Sequence, residues 1–144
     1  MRGFTLLEFL IAITIVVIII SIGLPVFRNL QPALELSGVV RDLVSDVRLA
    51  QQLAVTEQVD HGVRFATSTN GYKIIKYTAP EEVLQEKTLP AQVSFLQITG
   101  FDDSGVVFNP YGAAITAGTV SFINTQNSTT TVDIRPSGFV RIIK

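Results

Sequence analysis

The feature that constrains this chain most is an uncharged apolar run, Phe9 to Phe27, reading FLIAITIVVIIISIGLPVF. About 19 residues at a helical rise of roughly 1.5 Å cover roughly 28 Å, close to the hydrocarbon thickness of a bilayer. The run is apolar on every side. It has no polar face with which to lie flat on a membrane surface. Hydrophobic residues are 47% of the chain, and the excess sits in the first 27 positions. The remainder reads as a mixed-polarity domain. A chain of 144 residues therefore holds one anchor segment and one small globular head, not two full domains.

Composition removes several function classes. The formal net charge is −1, so bulk charge gives no support for nucleic-acid binding through phosphate neutralisation. There is no cysteine, which excludes disulfides, thiol nucleophiles and zinc–thiolate sites. His61 is the only histidine, so no histidine pair can form within one chain. Placed between Asp60 and Gly62 at an expected helix end, it reads as a cation favoured by the helix dipole. Ser137-Gly138 and Asp103-Ser104-Gly105 read as turns, not nucleophile elbows. Asp102-Asp103 lacks the ligand spacing of a calcium loop. No phosphate loop or dinucleotide fingerprint is present. The expectation is a non-enzyme with no cofactor and no metal.

Glu8 lies one position before the apolar run. A carboxylate there sits at or within the membrane, where it is costly unless paired. A plain anchor gains nothing from it. A cleaved secretory signal is a poor match, because the run ends in Leu24-Pro25-Val26-Phe27-Arg28 with no small-residue cleavage site. Arg2 and Arg28 flank the run, so the positive-inside rule alone does not orient it.

The hexapeptide Gly3-Phe4-Thr5-Leu6-Leu7-Glu8 resembles the prepilin cleavage and methylation motif of type IV pilins and type II secretion pseudopilins. The resemblance implies cleavage after Gly3 by a prepilin peptidase, which would remove Met1 to Gly3 and methylate the new amino terminus of Phe4. It implies that Glu8 pairs with the Phe4 ammonium of a neighbouring subunit and sets the axial register. Pro25 falls where the family carries a proline. It lacks the helical N–H and is expected to kink or locally melt the anchor helix. The implied location is the bacterial inner membrane, with the N-terminus cytoplasmic and the head periplasmic or extracellular. The implied partners are other pilin or pseudopilin subunits, the peptidase and an inner-membrane assembly platform.

Beyond the anchor, Gln31-Pro32 marks a possible break. Apolar residues then recur at Leu36, Val40, Leu43, Val47, Ala50 and Ala54, the spacing of an amphipathic helix, with Arg41, Asp42, Asp46 and Arg48 among those on the opposite face. After Gly62 the pattern turns to strands: 63–67, 72–78, 93–98, 106–108, 119–123, 130–134 and 139–143. Asn70-Gly71 signals a type I′ hairpin. Pro80-Glu81-Glu82 reads as a polar loop. The expected fold is α+β, a pilin-like long hydrophobic helix packed on an antiparallel sheet. Its divisions are a leader 1–3, an assembly helix 4–30 and a head 31–144, with an amphipathic helix about 33–59 and a β-sheet about 62–143.

Three later stretches narrow the resemblance. Asp46-Val47-Arg48-Leu49-Ala50-Gln51, Val107-Phe108-Asn109-Pro110-Tyr111-Gly112, and the closing strands around Gly138 are similar to GspH/FimT-type minor pseudopilins and pilins. That resemblance implies a structural subunit of a secretion pseudopilus or, alternatively, of a type IV pilus serving adhesion or DNA uptake. The DNA-binding members carry a C-terminal G-R-x-R motif. The matching residues here are Gly138-Phe139-Val140-Arg141, so the first arginine is missing, and Arg135, Arg141 and Lys144 remain as the weak DNA-contact candidates. Phe101, Phe108, Tyr111, Phe122 and Phe139 are expected to be core or cross-strand aromatics.

Overall fold

The computed structural model describes residues 4–101 and 105–143. The Gly3 side of the cleavage motif, the Asp102-Asp103 turn and Lys144 lie outside them. A single helix, α1 (Leu6–Glu57), carries both the apolar run and the amphipathic stripe. Neither Pro25 nor Pro32 ends it, so the expected break at Gln31-Pro32 and local melting at Pro25 are not found. Each proline removes one backbone donor. The turns on either side of Pro32 are held by burial of Pro32 itself and of Leu36 against the head.

Among the described residues eight strands follow: β1 (His61–Ala66), β2 (Gly71–Lys76), β3 (Glu82–Thr88), β4 (Val93–Thr99), β5 (Gly105–Phe108), β6 (Gly118–Asn124), β7 (Thr129–Ile134) and β8 (Val140–Ile143). They form two sheets in place of the one expected, ordered β3-β2-β1-β5 and β4-β6-β7-β8, with every pairing antiparallel. After β3 the chain starts a second sheet at β4 and then returns through β5 to the free side of β1. Strand periodicity reports which residues are buried, and it is silent on which strands pair.

The core lies between α1 and both sheets. Leu43, Val47, Ala50 and Ala54 are fully buried against Val63, Val106, Phe108, Val120, Phe122 and Val132. Removing this apolar area from water at about 25 cal/mol per Å² is the main force holding helix to head. Phe108 and Phe122 are core residues as expected, and Phe101 packs on Phe65 at 5.6 Å between ring centroids. Tyr111 and Phe139 are not: they stand 92% and 58% exposed, because each belongs to a turn that projects from the sheet ends.

Three further readings are corrected. Strand β3 was hidden, since its sequence EVLQEKT has almost no buried face, and an edge strand wet on both sides leaves no alternation to detect. The β1–β2 connection is not a two-residue turn. Ala66 pairs with Gly71 across residues 67–70, which make a 3-10 turn ending on Asn70 at φ 47°, a left-handed conformation that asparagine tolerates. Asp46 is buried on the core side of α1. Its carboxylate accepts the Tyr72 hydroxyl at 2.6 Å and pairs with Lys87 at 2.7 Å. Burial, then the hydrogen bond to Asp46 and its charge, pushes the Tyr72 hydroxyl well above the usual tyrosine range.

The end of α1 is clamped to the sheet. Gln58 takes a left-handed conformation and stops the helix. Lys76 Nζ on β2 lies 2.6 Å from Glu57 Oε2. His61 opens β1 fully buried, so it is a core histidine and not a solvated dipole partner. Its Nδ1 donates to the Val59 carbonyl at 2.8 Å, and its Nε2 lies 3.4 Å from Glu57 Oε2. The Lys76 hydrogen bond holds Glu57 below its ordinary 4.5, and Glu57 in turn raises Lys76 above its ordinary 10.5. A depressed carboxylate adds stability above its unfolded value and loses it as pH falls through the folded one. A raised lysine adds stability below its unfolded value and loses it as pH rises through the folded one. The clamp is therefore complete at neutral pH and weakens at both extremes. Urea midpoints of the detergent-solubilised chain, read from about pH 3 to about pH 11, should fall on both flanks, and Lys76→Gln should flatten both falls.

Candidate functional site

The N-terminal end of α1 is built by a reciprocal cap. Thr5 is extended at φ −83°, ψ 151° and forms the N-cap. Its hydroxyl accepts from the Glu8 amide at 3.3 Å, while Glu8 Oε2 accepts from the Thr5 amide at 2.8 Å and the Thr5 hydroxyl at 2.9 Å. The pattern Thr-x-x-Glu before an apolar run is a capping box, a signal present in the sequence but not used in reading it. The Glu8 carboxylate thus satisfies an orphan N–H of its own helix and sits at the positive end of the helix dipole.

Above this cap the helix is exposed on every side through Leu30. In length and composition this segment suffices to cross a bilayer. Its few polar side chains bond inward: Thr14 Oγ1 donates to the Leu10 carbonyl at 2.8 Å and Ser21 Oγ to the Val17 carbonyl at 2.7 Å. Such back-bonding leaves no free hydroxyl for the lipid side to desolvate.

Where the helix leaves the apolar run, the head first touches it. Gln126 Nε2 in the β6–β7 turn donates to the Asn29 carbonyl at 2.7 Å. That turn is fixed by Asn124, whose Oδ1 accepts from the Gln126 and Ser128 amides at 3.0 and 2.9 Å. The contact braces the head against the helix one residue past Arg28.

At the far end of the head, two of the turns singled out in the sequence meet at one helical residue. Asn109 Oδ1 accepts from the Tyr111 and Ala113 amides, both at 3.0 Å, and shapes the first turn. Gln51 Nε2 donates to the Gly112 carbonyl of that turn at 2.7 Å. Gly138 of the second turn has φ +77°, and a Cβ there would run into Gln51 Nε2 and the Gly112 carbonyl. Beside this junction Gln51, Gln52, Val55, Tyr111 and Ser137 help line an open groove of ≈ 470 Å³.

Of the three weak DNA-contact candidates, Arg135 and Arg141 are described and Lys144 is not. Arg135 Nε lies 3.4 Å from Asp133 Oδ2, and Arg141 is the cross-strand partner of the same Asp133.

A family model described as type II transport protein GspH matches residues 39–138. Two solved structures, both of the minor pseudopilin EpsH from the type II secretion system of Vibrio cholerae, share the fold. One has a TM-score of 0.65 at 17% identity and covers 76% of this chain and 96% of its own. The other has a TM-score of 0.64 at 15% identity and covers 76% and 93%. No curated protein sequence matches. Two of the stretches noted from sequence, Asp46 to Gln51 and Val107 to Gly112, fall within the matched region, and the third overlaps its end at Gly138.

Gly138→Ala should test the junction. It adds a Cβ at a left-handed φ and against Gln51, so it should cost about 1–3 kcal/mol in chemical denaturation. Phe139→Ala, exposed one residue on, should stay within about 0.5 kcal/mol.

Proposed function

The chain belongs to the GspH family of type II transport proteins, and from that premise we propose how it serves as a minor pseudopilin of a secretion filament. One observation carries the proposal: a GspH-type head is joined to an apolar helix, Leu6 onward, whose start lies in the sequence motif Gly3-Phe4-Thr5-Leu6-Leu7-Glu8. The chain inserts in the bacterial inner membrane with its N-terminus in the cytoplasm and its head outside. A prepilin peptidase cuts after Gly3 and methylates Phe4.

The capping box explains how Glu8 is tolerated before assembly. Within a lone subunit its carboxylate bonds Thr5. The amine freed on Phe4 adjoins that residue. In the filament the ammonium of a neighbour's Phe4 offers Glu8 a full charge in place of a neutral N–H. Charge-assisted bonds are stronger and shorter than neutral ones. Pairing also removes an isolated charge from a water-poor core. Exchange of an internal for an intersubunit partner gives assembly a fixed register. Pro25 leaves the Ser21 carbonyl without its helical donor, which makes that turn the point where α1 bends as subunits leave the bilayer.

The partners are other pseudopilins, the peptidase and an inner-membrane assembly platform. The driving energy comes from a separate ATPase, since the chain carries no phosphate-binding loop.

Mass spectrometry of the protein from its native membrane tests the processing. The expected chain begins at Phe4 with one added methyl group. A chain retaining Met1 in cells with active peptidase would remove the cleavage step. In the same cells, Glu8→Ala should leave the membrane-bound amount unchanged while the amount in sheared filaments falls by about tenfold or more. Equal recovery would mean that Glu8 does not guide docking.

A further inference from the structure

We infer that Arg41 and Arg48 form a docking seam on α1 for a parallel helix of a different filament subunit that presents two carboxylates one heptad apart. The inference rests on the reading of the chain as a filament subunit. Its first support is a contrast in charge pairing. In the head Arg64, Lys73, Lys76, Lys87 and Arg135 each lie within 3.4 Å of a carboxylate, and Arg141 on the edge strand β8 is the described head cation beyond α1 without one. Arg41 and Arg48 are exposed, and among the described residues neither has an ion pair.

The second support is their placement. Seven residues separate them, two helical turns or about 10.5 Å along one side of α1. Leu34 lies one heptad below and Val55 one heptad above, 65% and 45% exposed. One more heptad down is Phe27, 65% exposed at the top of the apolar run. The seam is thus continuous with the segment proposed to drive assembly. A heptad column is the line along which parallel helices pack. It drifts by about 20° per heptad, so the partner wraps with a left-handed sense. The apolar ends exclude water and the guanidinium pair selects the partner, because a wrong charge opposite them is repelled.

A second copy of this chain fits the seam poorly. Its carboxylates one heptad apart on the neighbouring column are Glu35 and Asp42. Glu35 Oε1 already accepts from Gln31 at 2.8 Å, and its Oε2 is buried. The partner is therefore another subunit with an acidic helix face.

Cross-linking in membranes of cells that assemble the filament tests this, and the absence of cysteine gives a clean background. A single cysteine at Ser45→Cys, between the arginines, carries a thiol-linked photo-cross-linker. A second at Ile13→Cys reports helix packing in the apolar run. The expected product from Ser45→Cys joins a helical segment of another subunit bearing two carboxylates one heptad apart. Its yield should fall about tenfold with Arg41→Glu and Arg48→Glu together, while Arg41→Lys with Arg48→Lys keeps most of it. The urea midpoint of each double variant, unchanged because both positions are exposed, confirms that the chain still folds. A link to a second copy, to a segment without such carboxylates, or of unchanged yield in the double glutamate variant overturns the proposal. A link from Ile13→Cys with none from Ser45→Cys overturns the seam and leaves the filament reading standing. No link from either position removes both.

Discussion

Everything in this head depends on one contact, the burial of the upper stripe of α1 against two sheets at once. Leu43, Val47, Ala50 and Ala54 have no exposed surface. The two alanines let the backbone of the helix approach the strands closely, and large rings such as Phe108 and Phe122 fill the space beside them. Below this stripe the same helix is apolar all round and touches almost nothing of its own chain. A single continuous helix thus runs from the packed head into the exposed apolar segment, losing one backbone donor at Pro25 and one at Pro32.

Polar contacts fix the positions that burial leaves free. Hydrophobic packing is not directional, so it does not choose the axial or rotational setting of the head on α1. Gln126 to Asn29 at the bottom, Asp46 with Tyr72 and Lys87 in the middle, and Gln51 to Gly112 at the top place directional bonds along the helix. Glu57 with Lys76 closes the upper end. The spacing of these bonds from Asn29 to Glu57 makes helix and head one body, so a force on the anchor is delivered to the whole head.

The two ends of the chain's chemistry are unequal in kind. The N-terminal motif is local: Thr5 and Glu8 are three residues apart and meet within one helical turn. The head is non-local: Gly112 and Gly138 reach Gln51 from far along the chain. The GspH match covers the head, while the membrane and assembly reading comes from the first 30 residues. The two readings agree because the same helix carries both.

The sequence by itself determined what rests on near neighbours and on period. The uncharged run, the stripe from Leu36 to Ala54, seven of the eight strands and the Thr5–Glu8 relation all lie within a few residues of their cause. Tertiary structure alone decided the rest. The split into two sheets depends on β5 returning to β1. Strand β3 exists because β2 offers it an edge, not because its own residues alternate. Asp46 became a core residue because Tyr72 and Lys87 on other elements satisfied it, and Tyr111 and Phe139 became exposed because the turns that bear them project outward. A residue's polarity fixes the free-energy cost of burying it. Whether that cost is offset depends on groups brought close only by the folded chain.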